Sequence, residues 1–249
     1  MNKATSLPIF LQAPVRSRQR GFSLIEIALV LVIVGIALGG IVAAIGPQLE
    51  NKRVSDTQKS LNEAREALMG WAIVNGRLPR PATSAVNGVE AAADCANELA
   101  CTGFIPWTTL GVSKLDSWGK VIRYSVTPAF ATTGTNITAG TTPTKTVRTR
   151  NGGVLADLDT TVPAVLFSHG RSNFGTTDTG GAIVNAAGPA NVDEITNNAT
   201  VAPWRTFIQR TPSEPGTPIG VGGEFDDIVI WVNRARLINQ LTSAGIITP

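Results

Sequence analysis

From Phe22 to Ile45 the chain runs for 24 residues in which only Ser23 and Glu26 interrupt a stretch of Ile, Leu, Val, Ala and Gly. As an α-helix rising about 1.5 Å per residue it would reach roughly 36 Å, long enough to cross the hydrocarbon core of a bilayer. Buried helices of soluble domains are rarely apolar over such a length, so the run predicts a membrane segment. Arg16, Arg18 and Arg20 lie just before it, whereas Glu50, Lys52, Arg53 and Asp56 follow it with mixed sign. The positive-inside bias then keeps residues 1–21 cytoplasmic and exports everything after about residue 47.

An ordinary secretory signal has a shorter apolar core, and its small-residue cleavage site follows that core. Here the small residue, Gly21, precedes it. Cutting there would remove the basic leader and leave the helix on the mature protein. Glu26 needs a separate explanation, because a charge inside a bilayer segment costs roughly 2.5–3.5 kcal/mol at a helix centre, and less near an end. Either it snorkels to the cytoplasmic interface, or it meets a cation from another chain.

Gly21-Phe22-Ser23-Leu24-Ile25-Glu26, with its basic leader and apolar run, resembles the class III signal of type IV pilins and type II secretion pseudopilins. The resemblance is close from residue 16 to about 50 and looser to about 80. It implies that a membrane-embedded prepilin peptidase and N-methyltransferase cuts between Gly21 and Phe22 and methylates the Phe22 amine. It also implies that Glu26 acts in assembly, neutralising the Phe22 amine of a neighbouring subunit inside a filament. An α-amino group titrates near 8 and methylation leaves its charge, so the chemistry supports such a pair. A buried pair adds little net stability, but leaving one partner unpaired costs about 3–5 kcal/mol, so the pair would govern register and insertion.

Gly39, Gly40, Gly46 and Pro47 weaken the far end of the apolar helix, and a bend or local unwinding is expected near 46–47. Pilin-like filaments unwind a stretch of this helix, so the resemblance points the same way. From Gln48 the composition turns polar but stays helix-forming. Leu61, Ala64, Leu68 and Ala72 recur at helical spacing, and Lys59, Asn62, Glu63, Arg65 and Glu66 make the wet face. Asn75-Gly76 supplies a stop that Pro79 and Pro81 enforce.

Beyond residue 80, short apolar runs alternate with turn-rich polar segments. Strands are expected at Val121–Val126, Val162–Phe167 and Phe225–Val232, long surface loops at 131–153 and 175–200, and a short helix within 233–247. The organisation expected is a cleaved leader over 1–21, a transmembrane and assembly helix over 22–46, an amphipathic stem over 47–78 and a globular head over 79–249. The fold class is α+β: a long N-terminal helix packed on a C-terminal antiparallel sheet. The head also resembles the pseudopilins in Asn75-Gly76-Arg77-Leu78-Pro79, in Asp116-Ser117-Trp118-Gly119 followed by Tyr124, in Ser168-His169-Gly170 and in Asp226-Asp227-Ile228-Val229-Ile230-Trp231. Ser117 stands where that family has proline. In calcium-binding major pseudopilins the loop between the last two segments supplies acidic ligands, whereas Arg171-Ser172-Asn173-Phe174 has none. No metal or other cofactor is therefore expected; Asp226 and Asp227 are the residues that would serve calcium if it bound, and calcium wants six to eight oxygens.

Cys95 and Cys101 are the only cysteines. On the exported side a small disulfide loop is expected, and no further ligands for a metal stand nearby. His169, the only histidine, follows Ser168, and adjacent strand residues point to opposite faces, so the two do not read as a catalytic pair. Trp107, Trp118, Trp204 and Trp231 read as core or interface anchors.

The net charge of +3 and pI near 9.1 first suggest a nucleic-acid partner. Yet residues 1–21 hold four basic side chains and no acid, leaving 17 basic and 18 acidic side chains in the other 228 residues. The basic excess is thus a topology signal in the part to be discarded. Lys145, Arg148 and Arg150 form a small cluster that reads as solvated loop charge, so no nucleic acid is expected.

These readings describe a non-enzymatic pilin or pseudopilin, a minor subunit judged by its length. It would sit first in the inner membrane with its head in the periplasm, then in a periplasmic or extracellular filament. Its partners would be the prepilin peptidase, other subunits and an inner-membrane assembly platform. The competing reading is a membrane-tethered periplasmic enzyme or binding module that uses the helix only as an anchor.

Overall fold

The computed structural model describes residues 21–172, 180, 188–198 and 204–247, without the side chains of 38–45. The leader up to residue 20 and most of the loop expected at 175–200 lie outside these residues. The described residues fall into two units, divided between Gln48 and Leu49.

The first helix, α1, is continuous from Leu24 to Asn75, with Pro47 inside it. The local unwinding expected near 46–47 as one alternative to a bend is not seen: proline removes one amide donor, and the residues on either side remain helical. Residues 21–23 precede the helix without regular structure. Among the described residues of the N-terminal unit its large apolar side chains are bare, with Leu24, Ile25, Leu31 and Ile36 at 91, 78, 65 and 73% exposure. Among the described residues no helix is long and apolar enough to cross a membrane. The expected span 22–46 includes 38–45, whose side chains lie outside the described residues.

In the second unit the helix becomes amphipathic as its spacing predicts. Leu61, Ala64, Leu68 and Ala72 are buried on one line, joined by Thr57 and Met69. The helix stops because Gly76 takes φ +68°, and its amide returns to the Ala72 carbonyl.

Four strands form an antiparallel sheet in the order β1 (Thr102–Phe104), β2 (Arg123–Val126), β5 (Ala164–Ser168), β7 (Ile228–Trp231). On one face Tyr124, Val126, Ala164 and Leu166 pack with the α1 line and with Leu237 and Leu241 of the terminal helix α5 (Arg234–Ser243). On the other face Val165, Phe167 and Val229 meet Val147, Val162 and Phe207 of a second sheet. Strand β5 is covered on both faces, and so its sequence is an unbroken apolar run rather than an alternating one. The short helices α2 (Trp107–Leu110), α3 (Pro128–Ala131) and α4 (Val192–Asn197) lie in the connections.

The second sheet corrects the expectation of a surface loop over 131–153. Strands β3 (Lys145–Asn151) and β4 (Val154–Val162) form an antiparallel hairpin, and β6 (Thr206–Ile208) pairs with β3 in parallel. Gly152 and Gly153 turn the hairpin with φ of +55° and +91°, which a Gly-Gly pair allows and other residues resist. The cluster expected there as solvated charge is instead tied down. Lys145 is fully buried against Glu98 at 2.6 Å, Arg150 reaches the buried Asp193 at 2.8 Å, and Arg148 meets Asp157 at 2.6 Å. Cys95 and Cys101 are joined in a disulfide, and the four tryptophans read as anchors are all half-buried.

Candidate functional site

Two places carry the chemistry singled out in the sequence. At the N-terminus, Gly21 and Phe22 lie in the non-helical lead-in to α1, with Phe22 78% exposed. Glu26 stands in the first helical turn, its amide bonded to the Ser23 carbonyl at 3.0 Å. The Gly21–Phe22 bond thus precedes the first helical residue, Leu24.

In the head, the segments Asp116–Lys120, Ser168–Ser172 and Asp226–Asp227 converge. Asp116 Oδ1 accepts the amides of Trp118 and Lys120, both at 2.9 Å, which closes the 116–120 turn on itself. Its Oδ2 accepts the Ser168 hydroxyl at 2.6 Å, and Ser168 Oγ in turn accepts the Gly170 amide at 3.1 Å. Gly170 at φ +56° bends the chain away from β5, and a Cβ there would lie 2.1 Å from the Asp226 carbonyl oxygen. Thr57 of α1 accepts the Ser117 amide at 3.1 Å, so the same turn is tied to the stem.

Asp226 and Asp227 are brought together with Glu194 of α4, and one carboxylate oxygen from each lies within 4.8 Å of the others. Sequence reasoning does not find Glu194, because its distance along the chain from Asp226 leaves no local signal. Burial pushes its carboxyl up to about 9, helped by the charges of Asp227 and Asp226. The Asp226 carboxyl is also raised, mainly by burial. Its partners are the Ser172 amide and the Ser172 hydroxyl, the latter at 2.9 Å. Asp227 accepts Asn197 Nδ2 at 2.8 Å and faces His169 Nδ1 at 3.2 Å.

Lys120, 8% exposed, sends its ammonium into this region, where it donates to the carbonyl of Gly170 at 2.6 Å and to that of Ser172. Burial lowers its pKa, while Asp116, Asp226, Asp227 and Glu194 oppose the shift. The calcium that the family resemblance raised finds a poor fit. The backbone oxygens that could complete a coordination shell already hold an ammonium, and both aspartates are hydrogen-bonded to protein donors. Ser168 and His169 are likewise committed to separate partners, Asp116 and Asp227, and do not form a nucleophile–base pair.

Residues 16–42 match the family model described as the prokaryotic N-terminal methylation motif, which is the class III signal of type IV pilins and pseudopilins. No curated protein and no solved structure matches the chain.

Proposed function

We propose that this chain is a structural subunit, a minor pilin or pseudopilin, of a type IV pilus or a type II secretion pseudopilus. It is processed between Gly21 and Phe22, methylated on the Phe22 amine and built into a helical filament through α1. The observation that carries this reading is the bare apolar surface of the first half of α1, beginning where the methylation motif ends its leader. Phe22, Leu24, Ile25, Leu29, Leu31, Val32, Ile33 and Ile36 are each more than half exposed. An isolated domain does not leave such a surface in water. A bilayer before assembly and neighbouring subunits after it would cover it.

In this reading Glu26 takes the charged Phe22 amine of the adjacent subunit as its partner, and the inner-membrane platform delivers subunits one at a time. The head has no enzymatic task; the half of α1 from Leu49 onward and the four-stranded sheet hold it on the filament surface. Replacing Glu26 by Ala tests this directly. The variant is expected to be exported and processed yet missing from sheared or purified filaments, because an unpaired buried amine costs about 3–5 kcal/mol per subunit. Normal incorporation of the processed variant would overturn the assembly role.

A further inference from the structure

The loop closed by the Cys95–Cys101 disulfide carries Glu98 midway between the two cysteines. Although Glu98 lies in a loop it is only 6% exposed, and its carboxylate reaches the second sheet. One oxygen lies 2.6 Å from Lys145 Nζ; the other lies 3.3 Å from Arg205 Nε and accepts the Thr144 hydroxyl. Lys145 is the first residue of β3 and Arg205 immediately precedes β6, and the Thr146 amide bonds to the Arg205 carbonyl at 2.8 Å. A single carboxylate thus holds the two parallel strands at their shared start.

Lys145 is fully buried, and among the described residues Glu98 is the one acid paired with its ammonium. Its other bond goes to the uncharged carbonyl of Trp204 at 3.2 Å. Trp204 takes φ +56°, alone among the described non-glycine residues, which marks the backbone strain accepted at this junction. Burial lowers the Lys145 pKa, and Glu98 opposes the shift. The Cys101 end of the loop is anchored in the first sheet: Cys101 is fully buried, its carbonyl accepts the Val126 amide at 2.9 Å, and Thr102 shares a 2.6 Å hydrogen bond with the Ser125 hydroxyl. The disulfide ties the Cys95 end to that anchor.

We propose that the Cys95–Cys101 disulfide is a redox-sensitive latch on the second sheet: closed, it fixes Glu98 as the counterion of buried Lys145, and opened, it lets the loop carry Glu98 away. A dithiol reductant opens the latch by exchange. Two electrons and two protons pass from the dithiol to the bridged sulfurs, giving two cysteine thiols and the reductant's own disulfide. Stranding one member of a buried ion pair is far more costly than the intact pair is stabilising. The loss therefore falls on β3 and β6 rather than on β1, which adjoins the disulfide in sequence. The latch concerns the folded head and stands or falls separately from filament assembly.

The test is amide hydrogen exchange, read by peptide mass spectrometry, on the full chain in detergent before and after treatment with dithiothreitol. In the unaltered chain, reduction is expected to lower protection across 145–151 at least about tenfold, and across 102–104 and 123–126 less than about threefold. An equal or larger loss at 102–104 and 123–126, or no loss at 145–151, overturns the proposal, because the disulfide then acts only on its own surroundings or not at all. Glu98→Gln keeps the disulfide and removes the charge. When oxidised it is expected to exchange at 145–151 as the reduced unaltered chain does, with reduction adding less than about threefold. If reduction of this variant still adds about tenfold, the disulfide works by another route and the proposal fails. Should Glu98→Gln not fold, Lys145→Met takes its place: with no ammonium to strand, 145–151 is expected to be insensitive to reduction, and a remaining loss of about tenfold refutes the latch. If neither variant folds, the exchange profile of the unaltered chain decides.

Discussion

Thr57 of the stem helix accepts the backbone amide of Ser117 at 3.1 Å, with the threonine fully buried. This one bond links the helix to the turn that Asp116 closes, and Asp116 links that turn to Ser168 at the end of the central strand β5. A polar residue thus continues the buried line of Leu61, Ala64, Leu68 and Ala72 one turn toward the N-terminus. Its place in that line is set by a hydrogen bond rather than by apolar packing.

Thr57→Val keeps the shape and removes the acceptor, leaving the Ser117 amide without its partner. The head is expected to lose about 1–3 kcal/mol, whereas Thr57→Ser, which keeps the hydroxyl, loses less than half as much. Chemical unfolding followed by tryptophan fluorescence checks both. Equal losses for the two variants would show that the methyl group, not the bond, matters.

Gly170 has both a positive φ and a close backbone neighbour, so Gly170→Ala forces the Asp226 strand lead-in to move. A loss of at least about 2 kcal/mol is expected, combining backbone strain with overpacking. Gly134 provides the control: its φ is +74°, and a Cβ added there would meet nothing within 4 Å, so Gly134→Ala should cost only about 1 kcal/mol. Thermal midpoints of the two variants, measured side by side, separate strain from collision.

The buried Glu194 gives the head a defined pH dependence. Its folded pKa of about 9 lies above the ordinary 4.5, so the native state binds its proton more tightly than the unfolded chain does. The stability it contributes is complete below about pH 4.5 and is lost as pH rises toward 9. The charges of Asp227, Asp226 and Glu224 face the same group and add to its upward shift, and Lys120 also faces it. Glu194→Gln, which stays neutral, is expected to be less sensitive to pH across that window. It should be more stable at pH 8 by about 1 kcal/mol or more, some 2–4 °C in unfolding midpoint for a domain of this size. Parallel slopes for the two proteins between pH 5 and 9 would contradict this.

The parts of the fold that the sequence exposes are those where side-chain burial follows a short period. Leu61, Ala64, Leu68 and Ala72 mark the buried face of α1, and the run Ala164–Phe167 marks a strand covered on both sides. The β3–β4 hairpin is hidden because Lys145, Thr146, Arg148, Thr149 and Arg150 make β3 polar, with Lys145 and Arg150 held by ion pairs to the distant Glu98 and Asp193 and Arg148 paired across the hairpin to Asp157, and only the Gly152-Gly153 turn signals it. The N-terminal motif is local and legible residue by residue at Gly21, Phe22 and Glu26. The pocket in the head is only half legible. Asp226 and Asp227 stand together in sequence, but Glu194 reaches them, and Lys120 reaches the carbonyls of Gly170 and Ser172, only through tertiary folding, and no spacing rule connects positions 120, 194 and 226.

The proposed entry of the chain into its filament as a processed, methylated subunit beginning at Phe22 is tested most directly by intact-mass and N-terminal peptide mass spectrometry of the protein recovered from membranes of cells that carry a prepilin peptidase. The expected species lacks residues 1–21 and carries one methyl group on the Phe22 amine; a mature protein that retains Met1 to Gly21 would contradict the account.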